Sequence, residues 1–459
     1  LDDNEAIVVD GNIPAAVNVG TVVAVGAPVA TDYWNSSNTS LSVTVPIPGD
    51  ASLVLGTVQV KGYWGADVNT AQNLGSSASI GATGNMTVSI PKATLEAFGG
   101  FVDGGVLKVV AIVTDKAGNT SAVGTESDNE ITIDQTAPVV TNISSDAANG
   151  TYGVSDVIDV DLTFSESVTL VGDNLQIEME TGGTDETFVV SAFSNSSTAS
   201  ADYTVAEGNV SGDLTVKSLS SLGGTLRDAA GNNATYGLPS NSNLKDNKAI
   251  EIDGVYPTIN SITSSPSTGD LAIGEEVDIT INFDESLTLS AGTLDLVLDV
   301  GTTVQISSVS GTSAIGTYTV ADGDASSDLT ISEVNVTGGT LSDAAGNSLD
   351  EDLPGGENLG DNSSLVIDGN VPAAVNVGTV VARVLNVVTD YWNSTNDFLD
   401  VIVPIPADAS LTSGGGTVQL KGYWTGNVND AANLWTAQSI SSSGNMTLAV
   451  PEATLEAFP

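Results

Sequence analysis

The 459-residue sequence contains no cysteine and no histidine. The first absence removes disulfides, thiolate metal sites and cysteine nucleophiles. The second removes the commonest general base, the Ser-His-Asp arrangement and the usual transition-metal ligand together. Positive charge is scarce: 10 Lys and Arg stand against 57 Asp and Glu, for a formal net charge of -47 and a pI of about 4.1. Such a chain repels nucleic acid and anionic membrane surfaces, and it favours cations, either bound divalent ions or a salty medium. No stretch approaches the roughly 20 apolar residues of a membrane helix, so no direct membrane insertion is expected here. Aromatics are only 5% of residues, but 41% hydrophobic content is enough for several compact cores rather than disorder.

What is present is repetition. A strand end followed by Asp and then Pro recurs as Val9-Asp10-Gly11-Asn12-Ile13-Pro14, Ile133-Asp134-Gln135-Thr136-Ala137-Pro138, Ile252-Asp253-Gly254-Val255-Tyr256-Pro257 and Ile367-Asp368-Gly369-Asn370-Val371-Pro372. Each starts as alternating strand and reaches a Pro that cannot continue a ladder, the pattern of a joint between β-sandwich modules. The joints divide the chain into residues 1–10, the last strand of a preceding module; 11–135, module A; 136–254, module B; 255–369, module C; and 370–459, a second, truncated copy of A. Asp10–Asn38 and Asp368–Asn396 share 22 of 29 residues, so a unit of three modules is duplicated. A chain with both outer modules interrupted reads as a segment of a longer repetitive protein.

Within modules, Leu41, Val43, Val45 and Ile47 alternate with polar residues, as do Ile158, Val160, Leu162 and Phe164 in B and Val277, Ile279, Ile281 and Phe283 in C. Period two predicts half-buried strands and an all-β chain. Thr94–Phe98 is the one helix-like fragment, about one turn long.

Asp-x-Ala-Gly-Asn occurs at Asp115–Asn119, Asp228–Asn232 and Asp343–Asn347. Singly it is a turn, with Gly at positive φ and Asp and Asn bonded to nearby backbone. In a seven-strand sandwich, however, the loop before the last strand and the loop after the second strand lie at the end where the previous module arrives. That placement gathers Asp134, Glu166 and Asp228 at the A to B joint and Asp253, Glu285 and Asp343 at the B to C joint. Module A lacks Phe-x-Glu, but Asp50 and Asp408 each lie 40 residues beyond their joint Asp, giving Asp10, Asp50 and Asp115, then Asp368 and Asp408. Carboxylates forced together repel unless protonated or bridged, and oxygen ligands without His or Cys suit a hard cation, Ca²⁺ before Mg²⁺.

All five tryptophans fall in the A copies. They are read first as core residues and second as an aromatic platform for a surface glycan or protein receptor. Asn-x-Ser/Thr sequons occur, Asn35 among them, but a chain rich in Asn, Ser and Thr generates them by chance.

Modules B and C resemble the bacterial Ig-like repeats of giant secreted adhesins and biofilm-associated surface proteins. The matching pieces are Ala137-Pro138, Phe164-Ser165-Glu166, Tyr203-Thr204-Val205-Ala206, Gly223-Gly224-Thr225-Leu226 and Asp228–Asn232, with counterparts Phe283-Asp284-Glu285, Tyr318-Thr319-Val320-Ala321, Gly338-Gly339-Thr340-Leu341 and Asp343–Asn347. The resemblance covers roughly half the chain, and module A departs from it. It implies an extracellular, cell-surface array of tandem Ig-like β-sandwich modules, elongated and often stiffened by calcium between modules. The expectation is a non-enzymatic adhesion rod whose partners are calcium, neighbouring modules or other copies of the chain. The alternative is a self-assembling filament or surface-layer subunit. A carboxylate-pair glycosidase is disfavoured, since acidic clusters recur at every joint whereas an active site occurs once per enzyme.

Overall fold

Alternation at period two is realised as strands with one buried face. In Ser40–Ile47, Leu41, Val43, Val45 and Ile47 point inward and the residues between them face outward. The strands Val157–Val171 and Glu276–Leu289 bury Ile158, Val160, Leu162 and Phe164, and Val277, Ile279, Ile281 and Phe283, in the same way. Fully burying each such side chain stabilises the fold by about 1.5–3 kcal/mol.

This computed structural model describes residues 8–28, 30–172, 175–383, 388–413, 415–424 and 426–458. Residues 1–7, most of the expected last strand of a preceding module, lie outside them. The chain forms two compact units, Leu1–Val255 and Tyr256–Pro459. Each holds two hydrophobic cores, one drawn from Val17 to Ile133 and one from Val140 to Ile252 in the first unit, and one from Ile259 to Ile367 and one from Val401 to Val450 in the second. The fold is all-β and Ig-like.

In the first core an antiparallel sheet of Val22–Val25, Ser40–Ile47 and Gly84–Pro91 faces a sheet in which Tyr33–Trp34, Ile131–Ile133, Val106–Thr114 and Thr57–Trp64 lie side by side. The short strand Tyr33–Trp34 runs parallel to the outgoing strand Ile131–Ile133. The second and third cores repeat one plan. A long strand pairs with Val140–Ser144 and Phe193–Thr204 in one, and with Ile259–Ser265 and Ser310–Thr319 in the other. Parallel pairs again flank the outgoing strands: Gly150–Tyr152 with Ile250–Asp253, and Thr268–Ala272 with Ser364–Asp368. The helix-like fragment of module A is a helix at Lys92–Glu96, begun by Pro91 and repeated at Glu452–Glu456.

The structure corrects one local expectation. Glu166 does not sit in a loop after the second strand, because Val157–Val171 runs through it as a single strand. Its pairing with Phe193–Thr204 loses register between Thr163 and Val168, and the same break falls between Asn282 and Leu287 around Glu285. Extra residues in one strand are accommodated as a bulge, which re-aims a side chain without ending the strand.

Trp34 is fully buried, whereas Trp64 is partly exposed, tilts against Phe98 at 5.9 Å and donates from Nε1 to the Gly99 carbonyl at 2.6 Å. In the second copy, Tyr391 and Trp424 are 70% and 69% exposed.

Candidate metal centre at the A to B joint

The outgoing strand Ile131–Ile133 places Asp134 just past its last buried side chain. The bulge of Val157–Val171 presents Glu166, and the Asp-x-Ala-Gly-Asn loop presents Asp228. One carboxylate oxygen from each of the three lies within 4.8 Å of the others. Asp228 is 7% exposed and held from within its own loop: Oδ1 accepts from the Asn232 backbone N–H at 2.8 Å and Oδ2 from the Asn232 amide at 2.9 Å. The same amide donates to the main-chain carbonyl of Asp134 at 3.0 Å, tying the loop to the joint.

Burial and the surrounding carboxylates push Glu166 up to about 7, with Asp134, Asp228 and Asp103 as the like charges. Asp134 is raised by burial first, then by Asp228, and Asp103 adds to it. A site that penalises its own ionisation is one that a cation relieves.

Sequence reasoning missed Asp103. It lies in the loop between the helix and Val106–Thr114, where Gly104 N–H donates to Ile133 O and Ile133 N–H to Gly105 O, each at 2.8 Å. Asp103 Oδ1 accepts from Gln135 N–H at 2.8 Å and Oδ2 from the Thr136 hydroxyl. The only signal in the sequence was an Asp framed by glycines near an acidic joint.

The remaining candidates are placed as follows. In the second unit, carboxylate oxygens of Glu285 and Asp343 lie within 4.8 Å of each other, and Asp343 is held by Asn347 as Asp228 is by Asn232. Asp253 ends the outgoing strand of the first unit. Asp115 is closed by Asn119, whose amide also reaches the Asp10 carbonyl at 3.0 Å. Asp10, Asp50 and Asp115 form no comparable grouping among the described residues. Asp50 instead caps the turn Ala51–Leu53, and Asp408 likewise accepts from Ser410 N–H and Oγ, so hydrogen bonds occupy both. Asp368 ends Ser364–Asp368 and accepts from Asn370 N–H at 3.1 Å. A further grouping, Asp146, Asp159 and Asp161, was not anticipated; there Asp159 is satisfied by Ser145 Oγ and the N–H groups of Asp146 and Ala147.

The sequence matches no model of a known protein family and no curated protein sequence. Among solved structures, the chain is similar to a Ca²⁺-stabilized adhesin that helps an Antarctic bacterium reach out and bind ice, at a TM-score of 0.37 and 16% identity over 97% of this chain and 93% of that one. It is also similar to the four N-terminal Ig domains of Dscam1 isoform 6.9, at a TM-score of 0.17 and 10% identity over 78% and 74%.

Proposed function

We propose that this chain is a non-enzymatic, extracellular adhesion or structural rod of tandem Ig-like sandwiches whose joints are stiffened by calcium. The observation that carries the reading is the convergence of Asp134, Glu166 and Asp228 from the joint, a strand bulge and a loop. The donors are all oxygen, the choice of a hard cation. Bound there, calcium would tie the outgoing strand of module A to two elements of module B, adding several carboxylate bonds to the joint. In the second unit, Glu285 and Asp343 repeat the pairing of Glu166 with Asp228.

Extracellular modules bind calcium at about 10⁻⁴ to 10⁻³ M, so millimolar medium fills such sites. At 100 times the dissociation constant one ion stabilises its fold by about 2.7 kcal/mol. The test is titration calorimetry and thermal melting of the full chain in calcium, magnesium and chelator at fixed ionic strength. Calcium raises the melting temperature, and Asp228→Asn and Glu166→Gln each weaken binding. An equal rise from monovalent salt would mean that the acidity serves only general screening.

A second reading, lateral self-assembly, draws on one observation. Val380, Val381, Val388, Tyr391 and Trp424 of the second A copy line an apolar groove. Light scattering of the chain across a concentration series separates a monomeric rod from an assembling subunit.

A further inference from the structure

The Asp-x-Ala-Gly-Asn loop has a second face that the carboxylates do not use. Opposite Asp228, the Ala230 carbonyl accepts from the Asn35 side-chain amide at 2.5 Å, across 195 residues of sequence. Asn35 is 1% exposed and Ala230 is fully buried. Next to them Gly231 takes φ +87, and a Cβ there would come within 2.8 Å of Pro28 Cγ and 3.3 Å of Asn35 Nδ2. The turn itself sets the left-handed backbone, as at Gly118 and Gly346, and the contact uses the missing side chain of Gly231.

Module A prepares this corner in advance. Asn35 N–H donates to Asn38 Oδ1 at 2.6 Å, while Asn35 Oδ1 accepts from Ser37 N–H at 2.9 Å and Ser37 Oγ at 2.6 Å. With its oxygen engaged inside the corner, the Asn35 amide is left to project at the neighbour. The second A copy builds the same turn: Asn393 N–H donates to Asn396 Oδ1 at 2.7 Å, and Thr395 N–H and Oγ1 donate to Asn393 Oδ1 at 2.9 and 2.6 Å. Strand register identifies the corresponding position elsewhere. Trp34 lies opposite Ile133, Tyr152 opposite Ile252 and Leu271 opposite Ile367, so the residue one further on is Asn35 in A, Gly153 in B and Ala272 in C. Only the A type carries a side chain that can donate.

We propose that the Asn35–Asn38 corner of a type A sandwich is a docking surface for the Ala-Gly backbone of the following module's Asp-x-Ala-Gly-Asn loop, forming a latch that holds the joint without metal. Asn35 also heads a sequon, and its burial in the latch keeps a glycan off that nitrogen while the joint is closed. The latch stands on the contact itself and does not depend on the calcium reading.

Because the chain has no native cysteine, pairs of spin labels can be placed without background. Thr87→Cys with Ser197→Cys reports the A to B joint, and Ser197→Cys with Ser313→Cys reports the B to C joint, all at exposed positions. Distance distributions are measured by electron–electron resonance in the full chain with calcium or chelator. In chelator the first pair stays narrow, and Asn35→Asp, which keeps the acceptor inside the corner but removes the donor, at least doubles its width. Gly231→Val does the same from the other side. A first pair already broad in chelator with Asn35 intact, or one unmoved by Asn35→Asp, overturns the latch. A second pair that widens equally with Asn35→Asp marks general loosening and overturns the latch, whereas calorimetry that finds no calcium binding overturns the calcium reading and leaves the latch standing.

Discussion

The Asn232 side chain donates to the main-chain carbonyl of Asp134, 98 residues away, while closing its own loop on Asp228. One amide thus sets both the shape of the loop and its distance from the joint. Asn119 repeats the relationship with Asp115 and Asp10. Asn232→Ala leaves the buried Asp228 carboxylate and the Asp134 carbonyl short of a donor, at a cost of roughly 1–3 kcal/mol. Native-state hydrogen exchange at Ile131–Ile133 and Val157–Val171 reads that loss locally, which suits a chain of several cores better than one global melt.

Glu166 makes stability depend on pH with an unusual sign. Its folded value of about 7 stands above its ordinary 4.5, so between these limits the folded state holds more protons than the unfolded one. Stability of the metal-free joint therefore falls as pH rises from about 4.5 to about 7. Asp134, raised in the same direction, adds to the trend. In chelator the A to B region melts higher at pH 5 than at pH 7.5, and Glu166→Gln flattens the difference. If calcium fills the site as proposed, millimolar calcium reverses the order, since a cation favours the ionised form. A chelated protein most stable at pH 7.5 would count against the cluster.

The Asp-Gly of two joints has a steric cause. A Cβ at Gly254 would come within 2.5 Å of Ala206 O and 2.7 Å of Asn209 O, and one at Gly369 within 2.0 Å of Ala321 O. Gly254→Ala must displace the loop that donates Gly208 N–H to Gly254 O at 2.8 Å. We expect a loss of roughly 1–3 kcal/mol in the second core, measured by exchange at Ile250–Asp253. The same change at Gly11, which meets nothing within 4 Å, costs little.

Two equivalent tyrosines differ in partner. Tyr203 Oη donates to Asn209 Oδ1 at 2.8 Å, and Tyr318 Oη donates to Asp324 Oδ2 at 2.7 Å. Bonds to charged groups contribute about 1.5–3 kcal/mol against about 1 for neutral ones. Tyr318→Phe should therefore destabilise its core more than Tyr203→Phe, as judged by paired hydrogen-exchange measurements.

The strands were legible because Ile158, Val160, Leu162 and Phe164 advertise a buried face through period two alone. The grouping of Asp134, Glu166 and Asp228 could be anticipated because sandwich topology fixes which loops share an end. The bulge that aims Glu166 was not legible, since Phe-Ser-Glu reads as a strand end whether or not the strand resumes. Asp103 escaped because its role depends on where a glycine-rich loop runs beside Ile133, a tertiary fact with no periodic trace. Asn35 was visible only as a sequon, for its partner lies 195 residues away.

The parallel pairs that flank each outgoing strand decide how such a chain resists being pulled. Tension applied along the chain loads these ladders in shear, so neighbouring hydrogen bonds must fail together rather than unzip in turn. Two residue pairs align between Tyr33–Trp34 and Ile131–Ile133, three between Gly150–Tyr152 and Ile250–Ile252, and five between Thr268–Ala272 and Ser364–Asp368. If the chain bears tension, rupture force is expected to follow ladder length, and single-molecule pulling should find the third sandwich the last to yield.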